Sequence, residues 1–392
     1  MSWEKVKLGD VTDSCLGKML DQVKNKGEYQ PYLANVDVRW GSFNLENLSL
    51  MRFEASEQER YGLKYGDLVI CEGGEPGRCA IWKDQVPGMK IQKALHRVRV
   101  HDCLDYRYLY YWFLLAGKTG ELEQYFTGAT IKHMPGEKLK SVVITKPPIE
   151  VQRKIADILW TYDDLIENNQ KQIKLLEEAA QRLYKEWFVD LRFPGYENTP
   201  IDDGVPEGWQ TQSMNDIAEY INGYAFKPSD WGMTGKPIIK IKEMGSGVTA
   251  DTPRNTGENI PYKYNVSAGD ILFSWSATLS AMIWDEEEGL LNQHLFKVIP
   301  HSGISREFVL QSILKTLDEF SNLTTGSTMK HIQRGKLKEV FVCVPNSEVM
   351  LKYQSVSEPI REQILRIRRQ MILLGEARDR LLPKLMNGEI EV

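Results

Sequence analysis

Two seven-residue segments carry the most suggestive chemistry in the chain: Thr127-Gly128-Ala129-Thr130-Ile131-Lys132-His133 and Thr325-Gly326-Ser327-Thr328-Met329-Lys330-His331. Each gathers a glycine amide, hydroxyls, an ammonium and an imidazole into one short stretch. Such donors suit the oxygens of a phosphate, because amides and hydroxyls fix its position and the cation adds attraction. The amides of Gly128 and Gly326 and the hydroxyls of Thr130 and Thr328 are therefore candidate phosphate ligands, with Lys132 and Lys330 supplying charge. Thr127, His133, Thr325, Ser327 and His331 complete the two sets. Basic residues continue downstream, as Lys138 and Lys140 in one copy and Arg334, Lys336 and Lys338 in the other. A further basic window, Gln85 to His101, holds Lys90, Lys93, Arg97 and Arg99. Arg39, Arg78, Lys240, Lys242 and Ser274 are the remaining candidate DNA contacts, with Arg334 added from the second copy.

Catalytic chemistry is scarce by comparison. The glycine-rich stretch Glu72-Gly73-Gly74-Glu75-Pro76-Gly77-Arg78 lacks the Gly-Lys-Ser/Thr ending that cradles a nucleotide phosphate, and its glutamates would repel one. It reads as a tight turn between strands, or as a loop turning Arg78 toward DNA. Lys146-Pro147-Pro148-Ile149 has the outline of the Asn/Asp-Pro-Pro-aromatic motif of amino-methyltransferases. Lysine, however, stands where the proton acceptor belongs and isoleucine where the stacking ring belongs. The proline pair instead reads as the end of a strand before a helix. Four of the six histidines are read as repeat pairs, His96 with His294 in strand-like runs and His133 with His331 in polar loops. The first pair is expected in the core. No His-Glu-x-x-His or Cys/His cluster is present, so no metal site is expected. No serine or cysteine sits in a nucleophile elbow. The expectation is a binding protein without catalytic residues.

The elements that position these residues come in two copies. The match of Thr127–His133 to Thr325–His331 holds at an offset of 198 through Pro147/Pro345 and on to Leu183/Leu381. Gly66-Asp67-Leu68 matches Gly269-Asp270-Ile271, and Trp3 with Asp10 matches Trp209 with Asp216. Short β-rich runs such as Asp67–Cys71, His96–Val100 and Asp270–Ser274 predict strands, while Tyr106–Leu115 and Phe308–Phe320 each predict one helix. Two nearly glycine-free segments follow. In the first, Ile155, Ile158, Tyr162, Leu165, Asn169, Leu176, Ala179 and Leu183 form a heptad stripe; in the second, Tyr353, Val356, Ile360, Ile364, Ile367, Met371, Leu374, Leu381 and Leu385 do. That spacing predicts long paired helices, antiparallel so that the mixed domains fall at opposite ends. Pro359 should kink the second or mark its start. The expected architecture is α+β: residues 1–147 a first mixed domain, 148–194 a first long helix, 195–208 a linker, 209–345 a second mixed domain, and 346–392 a second long helix with its tail. The two mixed α/β domains are separated by two long antiparallel coiled-coil helices in an internal pseudo-two-fold repeat.

Composition bounds the function. The chain has 392 residues, 42% hydrophobic and 26% charged, which excludes disorder and a small disulfide scaffold. No stretch approaches the roughly 18–20 apolar residues of a spanning helix, and Met1–Lys5 does not open a signal peptide. The five cysteines lack metal-ligand spacing and read as the reduced thiols of a cytoplasmic protein with no membrane contact. A formal charge of −5 argues against a protein that grips DNA unaided, which would usually be basic.

The chain resembles the specificity subunits of type I restriction-modification systems over its whole length. The resemblance rests on Leu381-Leu382-Pro383-Lys384-Leu385-Met386-Asn387-Gly388-Glu389-Ile390, similar to the family's C-terminal signature. It also rests on Gly66–Arg78, Asn222-Gly223-Tyr224-Ala225-Phe226-Lys227 and Gly204-Val205-Pro206-Glu207-Gly208-Trp209. It implies two target recognition domains, each reading half of a split site in double-stranded DNA. The long helices would separate them as a ruler, with half-sites about 34 Å apart centre to centre, and would dock two copies of a modification (methyltransferase) subunit. A restriction/translocase subunit would join them. S-adenosylmethionine, ATP and Mg would be bound by those partners and none by this chain. The alternatives are a DNA-modifying enzyme in its own right and a coiled-coil scaffold with no DNA.

Overall fold

The computed structural model of the protein describes residues 3–21, 25–322 and 334–392. The chain forms two compact units, Met1–Glu167 with Ile372–Val392, and Asn168–Met371. The division falls inside both long helices, so neither the helices nor the 195–208 segment stands as a body of its own. Within that segment Ile201–Asp202 pairs with Val205–Pro206.

The first unit is built on a four-stranded antiparallel sheet in the order Thr12–Leu16, Leu95–Val100, Leu68–Cys71, Cys79–Ile81. Leu68-Val69-Ile70-Cys71 is apolar throughout because both faces of the sheet are covered. Leu68 and Ile70 join the core that contains the helix Tyr106–Thr119, whereas Val69 and Cys71 join a second core with Trp82 and Ile91. Asp105 caps that helix by accepting from the amides of Arg107 and Tyr108. A smaller sheet pairs Glu28–Leu33 antiparallel with Leu50–Phe53 and parallel with Lys90–Ile91. After Pro147-Pro148 the first long helix runs Ile149–Tyr184. Gln152, fully buried at its start, donates to the carbonyls of Pro147 and Cys103 and accepts from the amide of Asp105.

The second unit repeats this plan. Its sheet runs Ala218–Asn222, Leu295–Pro300, Ile271–Ser274, Ser280–Ile283, the same order as in the first. Ile238-Ile239 again pairs parallel with Leu290-Leu291 in a second sheet. Gly17 and Gly223 make the same close approach: a Cβ would lie 2.3 Å from the Gln92 carbonyl oxygen in one case and 2.1 Å from that of Asn292 in the other.

The strands correct the pairing of the histidines. Leu95 stands opposite Cys71 as Leu295 stands opposite Ser274, so His96 corresponds to Phe296 and not to His294. The equivalent pair is His101 and His301, whose amides donate to Val11 and Ile217 respectively. His96 is buried, as expected, but His294 is only partly so. The stretch Phe308–Phe320 is not one helix. Arg306–Lys315 ends at Thr316, whose hydroxyl bonds the Ser312 carbonyl, and Leu317–Asn322 restarts the helix.

The long helices are antiparallel in each unit. In the first, Ile155, Ala156 and Leu159 share a core with Leu382, Leu385 and Met386. In the second, Ile173 packs with Ile364 and Ile367. The stripe differs from the heptad reading: Ile158, Leu165 and Val356 are exposed, and Leu159, Ile173, Ala180 and Tyr184 are buried in their place. The early turns of the first helix pack on a mixed domain, so a broader face than a two-helix seam is buried. The second long helix, Ser347–Met386, passes through Pro359, which therefore does not mark its start.

Candidate nucleic-acid interface

In the first unit the glycine-rich turn and the 127–133 loop are stapled together. The Thr127 amide donates to the His133 carbonyl at 2.7 Å and the His133 amide to the Thr127 carbonyl at 2.8 Å, closing the loop. Gly128 sits at φ +93°, where a Cβ would strike the Ile131 carbonyl oxygen, so glycine is required. The Met134 amide donates to Glu72, and Gly73 bridges to His133. A Cβ on Gly73 would come 2.8 Å from His133 Nδ1. Asn35 donates to the Gly73 carbonyl and accepts from Arg78, whose guanidinium also binds Glu75 at 3.0 Å.

This arrangement divides the candidates. Ala129, Thr130, Lys132 and His133 are exposed on the loop, and Lys93 and Arg39 are exposed nearby in sequence to its supports. Lys132 lies 3.6 Å from Glu123 and 5.8 Å from the Phe126 ring centroid. Lys93 and His133 line one cleft of about 440 Å³ with Met19, Leu20 and Asn35. Thr130, Ile131 and Lys132 line a second of about 600 Å³. Thr127 and Gly128 shape the loop that separates the two.

Others face inward. Lys90 is buried, donates to the Gly88 carbonyl and has its pKa lowered by that burial. Arg78 is consumed by Glu75 and Asn35 rather than turned outward. Arg99 clamps the buried Asp67 with two 2.7 Å bonds, and Arg97 donates to the Glu59 carbonyl. Ser274 is fully buried and bonds the carbonyls of Ser276 and Thr278. In the second unit Lys240 lies 4.9 Å over the Trp231 ring, and Lys242 is exposed on a groove with Met244, Ser246, Thr278 and Met282. The counterpart of Gly74 is Ala277, which keeps the left-handed turn at φ +56° without glycine. Thr325, Gly326, Ser327, Thr328, Lys330 and His331 lie outside the described residues, as does the side chain of Arg334.

Lys146-Pro147-Pro148-Ile149 shows no open acceptor for a methyl-transfer site. Lys146 pairs with Glu4 at 3.0 Å, and the Pro147 carbonyl is taken by Gln152. Asn35 lines the smaller cleft and Glu75 the larger, and neither is among the sequence candidates; Trp40, an aromatic read as core or groove packing, lines the larger.

A family model described as "Type I restriction modification DNA specificity domain" matches residues 1–178 and again 206–356. The chain belongs to the type I restriction modification DNA specificity family. The two matches coincide with the two copies of the sheet described above. The MjaIX specificity subunit of Methanocaldococcus jannaschii is 29% identical over 346 residues, covering 83% of this chain and 78% of that protein. The HindI specificity subunit of Haemophilus influenzae is 24% identical over 466 residues, with 99% of each chain covered. The crystal structure of the S subunit from M. genitalium aligns with a TM-score of 0.57 at 15% identity, covering 98% of this chain and 96% of that one, which shows a shared fold. Among the described residues of this family member, no helix is long and apolar enough to cross a membrane.

Proposed function

We propose that the chain is the DNA-reading subunit of a type I restriction-modification complex and performs no chemistry itself. The observation that carries this reading is one fold built twice, with different loops on each copy. Where the first carries Glu72-Gly73-Gly74-Glu75 at the turn beside its cleft, the second carries Trp275-Ser276-Ala277-Thr278. A duplex target in two different halves is matched by that asymmetry. Each unit reads one half-site, and the antiparallel helices set the spacing. Their exposed apolar residues, Ile158 and Leu165 in the first unit and Leu351 and Val356 in the second, offer docking area for two modification subunits. Those partners bind S-adenosylmethionine and methylate the DNA, and a restriction subunit brings ATP and Mg. The protein acts in the cytoplasm.

The test is a mobility shift and footprint with the full chain and its co-encoded modification subunit, the target first being taken from the methylome of cells carrying the operon. Two protected half-sites are expected, and deleting seven residues from either long helix should change the spacer or abolish binding. Unchanged spacing would reject the ruler. S-adenosylmethionine bound by the chain alone would mark an enzyme, and absence of any duplex binding by the complex would mark a scaffold.

A further inference from the structure

The cleft of about 600 Å³ beside the 127–133 loop is organised around a tryptophan held in place. Trp40 Nε1 donates to Glu75 Oε1 at 2.7 Å. Its ring lies on Gly117 of the helix Tyr106–Thr119, where a Cβ would come 2.8 Å from the Cη2 and Cζ2 atoms. Leu122 and Phe126 extend the apolar wall, and Ile131, 63% exposed, lines the cleft from the loop. Two carboxylates, Glu75 and Glu123, line it as well.

This combination selects its occupant. A phosphate backbone would be repelled by the carboxylates. Glu75 already accepts from Trp40 and Arg78, and Glu123 lies 3.6 Å from Lys132, which leaves Glu123 acceptor capacity that an aliphatic ligand would not use. A planar ring carrying an edge amino group suits the cleft, because its face stacks on an indole or phenyl ring and its exocyclic amine bonds the Glu123 carboxylate. The wall of the cleft is also the loop that carries Thr130 and Lys132. An exposed aliphatic side chain on such a loop can enter a base step and unstack it, as apolar wedges do elsewhere.

We propose that the cleft receives one nucleobase extruded from the bound duplex, an adenine or a cytosine, with Ile131 taking its place in the stack. The proposal rests on the DNA-reading function above and concerns a position other than the base being methylated. Trp40 supplies the stacking face. Glu123 accepts from the amino group. Glu75 positions Trp40.

A mismatch scan of the half-site read by the first unit tests this, using the full chain assembled with its modification subunits. Extrusion costs less where the base is already unpaired, so a mismatch at the extruded position should tighten binding on the order of tenfold. Trp40→Leu and, separately, the surface change Ile131→Ser should bind matched and mismatched duplexes alike. A gain at the methylated base, if one appears, should survive both changes. The proposal is overturned if the unaltered complex shows no second position of gain, or if that gain persists in both variants. It is also overturned if either variant fails to assemble with the modification subunits, since the cleft would then be a protein-docking surface. A complex that binds no duplex specifically would instead overturn the DNA-reading function itself.

Discussion

Removing Arg361 leaves a buried carboxylate with half its partners. Arg361, on the second long helix, grips Glu307 through Nε at 2.9 Å and a terminal nitrogen at 3.0 Å, with the side chains only 12% and 4% exposed. Gln311 gives Glu307 one further bond at 2.8 Å. Breaking a buried pair by removing one partner costs about 3–5 kcal/mol, since the remaining charge is neither paired nor hydrated. The surviving Gln311 bond places Arg361→Met near the lower end, about 3 kcal/mol. For a unit of this size that corresponds to about 6–12 °C in Tm. Replacing both charges, Glu307→Met with Arg361→Met, should recover most of the loss, because apolar packing of similar volume substitutes for a buried pair at little cost. Urea denaturation of the intact chain, followed by tryptophan fluorescence, provides both values. If Arg361→Met falls within about 0.5 kcal/mol of the parent, as a surface change would, the buried-charge argument is wrong. If the double change is as harmful as the single one, packing and not charge dominates.

Gly17→Ala and Gly223→Ala should each destabilise by about 1–3 kcal/mol, since the added methyl meets main-chain oxygen that cannot rotate aside; thermal melts in which either variant matches the parent would contradict the close approach. His96 is buried against the Met134 carbonyl and burial lowers its pKa, so the unfolded chain binds its proton more readily. Stability should therefore be full above the unfolded value, about 6.5, and fall as pH drops below it toward the lowered folded pKa; His96→Gln should flatten that acid limb in a pH series of melts. Tyr111 donates to Asp163 at 2.6 Å, and Tyr111→Phe should cost about 1.5–3 kcal/mol in urea titrations, a loss under about 0.5 kcal/mol counting against the bond. Lys93→Ala and Lys132→Ala should weaken binding to every duplex and shallow the salt slope by about one unit each; a defect confined to one base position would make the residue a base reader.

The duplication was legible because its anchors are local. Gly66-Asp67-Leu68 and Gly269-Asp270-Ile271 each combine a left-handed turn with the first residues of a central strand. Pro147-Pro148 marked the start of the first long helix within a residue. What depends on distant partners was not legible. Nothing near Arg99 shows that Asp67, thirty-two residues earlier, consumes it, or that Lys90 turns into the sheet. The histidines were mispaired because insertions between the anchors shift the strand Leu295–Pro300 by two residues from the offset that aligns the loops. The heptad stripe failed where the helix packs on a domain surface as well as on the other long helix, as at Leu159 and Ala156. The setting of Trp40 was not legible because it depends on Gly117 in another element.

Those internal pairings bear on how an acidic chain reads DNA. The basic window Gln85–His101 first suggested four cations for a polyanion, but Lys90, Arg97 and Arg99 serve the fold and Lys93 alone is exposed. Arg78 serves it too, and Lys240 lies over Trp231. The described surface of the first unit then offers Lys93 and Lys132 at its clefts and an exposed Arg39, with Lys242 on the groove of the second. Each phosphate neutralised contributes about 0.9 to the salt slope of duplex binding, and tight binders use about 6–10 such contacts. The few cations described at these clefts orient a duplex without holding it firmly. Under the proposed function the modification subunits would supply much of the affinity, and this chain's loops would then be free to carry shape, aromatic rings and even carboxylates where a self-sufficient DNA binder would need lysine. A net charge of −5 is compatible with DNA reading on that division of labour.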